Sequence, residues 1–96
     1  MFNEISVQKV QEMQDEGAVN VVDIRDPGSF ASGHIPNAVS LNDGNVKEYI
    51  ETTDKEKALV VCCYHGNSSR GAAEYLSQNG FKEVYSMTGG FDAWPD

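Results

Sequence analysis

Basic residues are scarce in this chain: seven Lys and Arg stand against fifteen Asp and Glu, a formal net charge of −8. That balance has the wrong sign for holding a phosphate backbone or an anionic lipid surface, so neither nucleic acid nor membrane is an expected partner. No apolar run approaches the ~20 residues that a membrane-spanning helix needs. The N-terminus, MFNEISVQKV, lacks the basic stretch followed by an apolar one that marks a secretory signal, and a cytoplasmic protein is the expectation. Cysteine is limited to an adjacent pair, Cys62 and Cys63. A disulfide between neighbours closes almost no loop, and two thiols without CxxC spacing are too few for structural zinc. Both are therefore expected to be reduced; no metal is expected either, and the reading reached below calls for no cofactor. What remains is ordinary for a folded protein: 96 residues, 40% hydrophobic and 23% charged, expected to form one domain over residues 1–96 with a modest core.

Helical and strand patterns alternate along the chain. Ser6 can cap a helix running to about Gln14, with Val7, Val10 and Met13 on one face and Gly17 beyond its end. Val19, Val21, Val22 and Ile24 then form a β-branched run ending at the Arg25-Asp26-Pro27-Gly28 turn cluster. A short helical turn about Phe30 and a short strand at Val39 to Leu41 follow, and Asn42 or Asp43 can cap a helix over Val46, Tyr49 and Ile50. The TTDKEK segment reads as a surface loop before a second wholly apolar strand, Ala58 to Cys62. A helix beginning near Ser69 has Ala72, Ala73, Tyr75 and Leu76 as its apolar side and stops at Asn79-Gly80. Val84 to Ser86 is a last short strand, before the Gly89-Gly90 turn and a closing segment with Phe91 and Trp94. Strands that read as continuous apolar runs belong to parallel sheets covered on both faces. The expected fold is a three-layer α/β/α sandwich around a mainly parallel sheet of about five strands.

In such sheets, ligands gather beyond the C-terminal strand edges, which directs attention to the segment after Cys62. Cys63 leaves a buried strand and opens a six-residue turn, Cys63 to Ser68, that leads straight into a helix N-terminus. Unpaired N–H groups and the helix dipole there favour a thiolate and can cradle a second negative charge beside it. Gly66 permits the tight curvature by taking φ > 0, and Asn67 and Ser68 suit the turn and can cap the helix. Cys62 should point the other way, into the core, by strand alternation. A free cysteine is commonly a small buried hydrophobe. Strand, glycine-bearing turn and immediate helix together argue for a nucleophile instead.

The run CYHGNSSRGAAEYL, with VVDIRDPGSFASGHIPNA before it and YSMTGGFDAW after it, strongly resembles the single-domain rhodaneses over nearly the whole chain. The resemblance implies a rhodanese-like fold and a thiosulfate sulfurtransferase acting by ping-pong kinetics. In that scheme Cys63 takes the outer sulfur of thiosulfate as a persulfide, and cyanide or a small thiol removes it. A persulfide carrier that serves a protein partner, such as a thioredoxin-like dithiol, is the alternative. Tyr64, His65, Gly66, Asn67, Ser68, Ser69 and Arg70 are the candidate substrate-binding residues. His65 could act as a base or shape the pocket rim, Tyr64 could offer edge contacts or a hydroxyl, and Arg70 could attract anions or face solvent. Rhodaneses also resemble the Cdc25-type phosphatases, whose loop is one residue longer and sets an arginine six positions after the cysteine; that position here is Ser69. Asp23 with Arg25 reads as an internal ion pair beside the site, and His34 as a backbone-bonding side chain. The Gly89-Gly90 turn with Trp94 reads as hydrophobic closure. Asp96 lies only two residues past Trp94, which leaves open whether the C-terminal helix common in relatives is absent or removed.

Overall fold

The computed structural model describes residues 1–95. Its elements are β1 (Asn3–Ile5), α1 (Val7–Asp15), β2 (Val19–Asp23), α2 (Pro27–Ser32), β3 (Val39–Ser40), α3 (Val46–Thr52), β4 (Ala58–Cys62), α4 (Ser68–Gln78), β5 (Val84–Met87) and a 3₁₀ turn, Phe91–Ala93. The strands form one sheet in the order β1-β5-β4-β2-β3, and every pairing is parallel. The expected sandwich is therefore what the chain adopts.

Alternation along β4 divides the core. Ala58, Val60 and Cys62 face the layer that contains Val10 of α1 and Met87, while Leu59 and Val61 face Ala73 and Leu76 of α4. All five β4 residues are buried, as a central parallel strand covered on both sides must be. Among the described residues, no helix is long and apolar enough to cross a membrane.

Local signals account for the starts of the first two helices. Ser6 caps α1 by accepting from the Lys9 N–H at 3.1 Å, and Asp26 caps α2 by accepting from the Ser29 N–H at 2.9 Å, with Pro27 at the first helical position. Four expectations need correction. β1 was not foreseen, because three residues with only Ile5 buried carry no readable alternation. Asn42 does not cap α3: its side chain accepts from Gly44 and Asn45 N–H in a turn of its own, and the helix starts after Asn45. Asn67 occupies the N-cap position of α4 without a side-chain capping bond, because its Oδ1 accepts from Arg70 Nη2 at 3.0 Å. Tyr75 is about half exposed, and Ser69 takes the buried place on α4 beside Ala73 and Leu76.

Candidate active site

β4 ends at the middle of the sheet, and its next residue, Cys63, lies at the floor of a cleft of about 330 Å³. Ile24, Arg25 and Asp26 form one wall of that cleft; Tyr64, His65, Asn67 and Ser68 form the other. This is the C-terminal edge of β2 and β4, where helix N-termini and loop amides converge in parallel sheets.

The loop folds around the sulfur. Gly66 N–H donates to Cys63 Sγ at 3.1 Å and Ser69 N–H at 3.3 Å, while Ser69 Oγ lies 3.3 Å away. Burial works against ionisation of Cys63, which is only 5% exposed. Hydrogen bonds from the Ser69 hydroxyl and from the Ser69, Gly66 and His65 N–H groups outweigh it, so the thiol is held below its ordinary 9.0. Cys62 has far weaker support, a single N–H from Phe91 and the Arg25 charge. Burial, reinforced by the nearby Asp23 carboxylate, pushes its thiol up to about 12.

Gly66 has φ +91°, and a Cβ there would stand 2.9 Å from Gly89 N and 3.2 Å from Met87 O. Only glycine fits that combination without moving the loop. The C-terminal turn holds the loop from the other side: Phe91 N–H donates to Cys63 O at 2.7 Å and Asp92 N–H to Tyr64 O at 3.0 Å. A Cβ on Gly90 would collide with the Tyr64 carbonyl. The Gly89-Gly90 segment therefore packs against the backbone of Cys63 and Tyr64, a role beyond the hydrophobic closure read from sequence.

The expected Asp23–Arg25 pair is present and buried. Arg25 Nε donates to both Asp23 oxygens at 3.0 Å, and Nη2 donates to Oδ2 at 2.7 Å and to the Gly33 carbonyl at 2.7 Å. The Arg25 guanidinium also lies 4.1 Å from the Phe91 ring centroid and 5.5 Å from that of Tyr64. Its charge, kept by Asp23, is thus built into the cleft wall. Tyr64, about half exposed, bonds through its hydroxyl to Asp26 and Ser29 and so joins the loop to the start of α2. His34 Nδ1 bonds the Phe30 carbonyl at 2.8 Å, as its backbone-bonding reading required.

Of the residues singled out from sequence, Cys63, Tyr64, His65, Asn67 and Ser68 line the cleft, and Gly66 and Ser69 bond the sulfur from beneath. His65 reaches outward, 3.8 Å from Asp92, with both side chains largely exposed. Arg70 lies off the cleft, its guanidinium shared between Asn67 Oδ1 and Glu4. Sequence reasoning missed Ser86, whose hydroxyl is 2.7 Å from Ser69 Oγ. The available signal was a small polar residue alternating inward with Val84 on an otherwise apolar strand.

A cysteine just past a central strand, in an amide-lined loop on a five-stranded parallel α/β sheet, defines a class, and residues 6–96 match the rhodanese-like domain family. The chain belongs to that family. It is 52% identical over 93 residues to the thiosulfate sulfurtransferase GlpE of Ectopseudomonas mendocina, covering 97% of this chain and 84% of the relative. It is 47% identical to the protein of the same name from Shewanella oneidensis, over 97% and 92% of the two chains. Among solved structures, a rhodanese-like domain protein from Staphylococcus aureus superposes with a TM-score of 0.85 at 27% identity, over 99% of this chain and 93% of that one. A protein from Rhodopseudomonas palustris described as a possible tyrosine phosphatase superposes with a TM-score of 0.81 at 30% identity, over 97% and 79%.

Proposed function

We propose that the protein is a thiosulfate sulfurtransferase in which Cys63 carries the moving sulfur as a persulfide. The observation that carries this reading is the convergence of two backbone N–H groups and one hydroxyl on Cys63 Sγ at the floor of an open cleft. The activity of the named relatives supports the substrate class. The Cys63 thiolate attacks the outer sulfur of thiosulfate, the bond to the sulfonyl sulfur breaks, and its electron pair leaves with sulfite. In the second half-reaction, cyanide attacks the terminal persulfide sulfur and leaves as thiocyanate, returning the thiolate; a small thiol can take the sulfur in the same way. No proton transfer is needed in the cyanide reaction, so a depressed thiol suffices without a general base. The amides that stabilise the thiolate continue to face negative charge as sulfite departs. Two free thiols suit a reducing, cytoplasmic location.

The fold is shared with a possible phosphatase, but the loop favours sulfur chemistry. Bidentate clamping of a phosphoryl group needs an arginine facing the loop. Arg70 instead engages Asn67 and Glu4, and Ser69 occupies the sixth position after the cysteine. Intact mass after thiosulfate treatment tests the reading: a gain of one sulfur atom, mapped to Cys63 and released by cyanide, is expected. A mass gain elsewhere, or thiocyanate formation undiminished in Cys63→Ser, overturns it. Turnover of an aryl phosphate that depends on Cys63 would instead support the phosphatase.

A further inference from the structure

Behind Cys63 lies a second polar layer. Ser69 and Ser86 are both fully buried, and their hydroxyl oxygens are 2.7 Å apart. Ser69 Oγ is also 3.3 Å from Cys63 Sγ, so the three side chains form a continuous line, Sγ to Oγ to Oγ, leading from the cleft floor into two serines closed off from solvent. β5 delivers Ser86 to this line opposite Val61 of β4, and the first turn of α4 brings Ser69 across to meet it.

A hydroxyl has one proton to give. When Cys63 is a thiolate, Sγ accepts only, and the Ser69 hydroxyl must donate to it; Ser86 must then donate to Ser69 Oγ. When Cys63 is a thiol, its S–H can donate to Ser69 Oγ, and the Ser69 proton can turn to Ser86. Buried hydroxyl protons without an acceptor are costly, and the thiolate arrangement is the one in which both serine protons have a side-chain acceptor. Hydrogen bonds in such a chain polarise one another, so the donor behind strengthens the one in front.

We propose that Ser86 is a positioning residue for Cys63: by donating to Ser69 Oγ it commits the Ser69 proton to the charged sulfur. This deepens the reading of Cys63 as nucleophile and rests on it. The other titratable and charged groups facing Cys63 are Cys62, the Asp23–Arg25 pair, Asp26, Tyr64 and His65. Glu4, beside Ser86 across the sheet, and Arg70, next along α4, pair with each other at 3.9 Å. Among the described residues, none of these is a hydrogen-bond partner of the Ser86 hydroxyl, whose side-chain partner is Ser69.

Thiolate absorbance followed against pH, with Cys63→Ala protein as the blank, reads the coupling directly. Ser86→Ala is expected to weaken Cys63 acidity about 3-fold and Ser69→Ala about 10-fold, while Ser86→Ala adds nothing further in the Ser69→Ala background. An unchanged midpoint in Ser86→Ala, or an undiminished shift in the Ser69→Ala background, overturns the proposal. A measurement on the unaltered chain guards against a variant that does not fold. The Ser86 Cβ resonance should titrate with the Cys63 midpoint and lose that response in Cys63→Ala; a resonance flat through the midpoint also overturns it. These readouts do not involve turnover. Were thiocyanate formation to survive in Cys63→Ser, the sulfurtransferase reading would fall while the titration coupling stood.

Discussion

Cys62 and Cys63 share a peptide bond, a functional group and near-complete burial, 0% and 5% exposed, yet their thiols move in opposite directions. Burial pushes Cys62 up to about 12, with Asp23 adding to the effect. Burial works against Cys63 as well, but donors from Ser69, Gly66 and His65 pull it below 9.0. Cys62 Sγ, in contrast, lies against the Cys63 carbonyl at 3.5 Å, an acceptor that stabilises the protonated form. Depth in the protein therefore does not separate a raised thiol from a depressed one. The supply of donors does, and it changes within one residue because the chain leaves the strand between them.

The sharpest test of that contrast is exchange of each sulfur for oxygen. Cys63→Ser should lower thiocyanate formation on the order of 10³-fold or more, because the nucleophile is gone. Cys62→Ser should leave the rate nearly unchanged and instead lower stability by about 1–3 kcal/mol, since a more strongly polar hydroxyl replaces the thiol within an apolar core cluster. Steady-state rates and urea midpoints on the two variants would separate the roles, and loss of activity in both would erase the distinction. A second perturbation acts on the Cys62 side. Asp23→Asn leaves the Arg25 charge without its carboxylate in a buried setting and should cost about 3–5 kcal/mol. If the variant remains folded, it also removes the charge that raises Cys62 and leaves Arg25 to lower it, narrowing the gap between the thiols.

On the Cys63 side, Gly66→Ala attacks the donor geometry without touching the sulfur. A left-handed alanine that meets Gly89 N should cost about 1–3 kcal/mol and displace the Gly66 N–H from Sγ. The alkylation midpoint of Cys63 should then move upward and sulfur transfer should slow about 10-fold, on the scale of one charge-assisted hydrogen bond. A variant with an unaltered midpoint would mean that Ser69 alone holds the charge.

How much of this was readable in the chain depends on whether the cause is local. The β2 and β4 runs, the Ser6 cap and the turn after Cys63 are signals carried by neighbouring residues, and each appears at or within a residue or two of its expected place. The need for glycine at position 66 and the inward turn of Cys62 follow from chain geometry in the same way. What stayed hidden joins distant segments. β1 exists because β5 offers it an edge, Asn67 is drawn from capping by Arg70, Gly90 matters because Tyr64 lies against it, and Ser86 meets Ser69 across 17 positions. No spacing rule reports a contact made by packing one layer on another.

The smallest effect is on stability against pH, and there the two cysteines should act with opposite sign. Stability rises with pH wherever the unfolded chain binds more protons than the folded one. Cys63, depressed in the folded state, contributes stability that is present above the unfolded value of 9.0 and lost as pH falls through its lower folded value. Cys62, raised in the folded state, contributes stability that is fully present below 9.0 and lost as pH rises toward and through about 12. Other groups titrate in the alkaline range, so the informative quantity is the difference in urea midpoint between each alanine variant and the parent chain. The cost of Cys63→Ala should grow as pH increases toward 9, while the cost of Cys62→Ala should shrink once pH passes it. Two differences running in the same direction would show that both thiols answer to burial alone, and the loop's hydrogen bonds would lose their part in holding charge on Cys63.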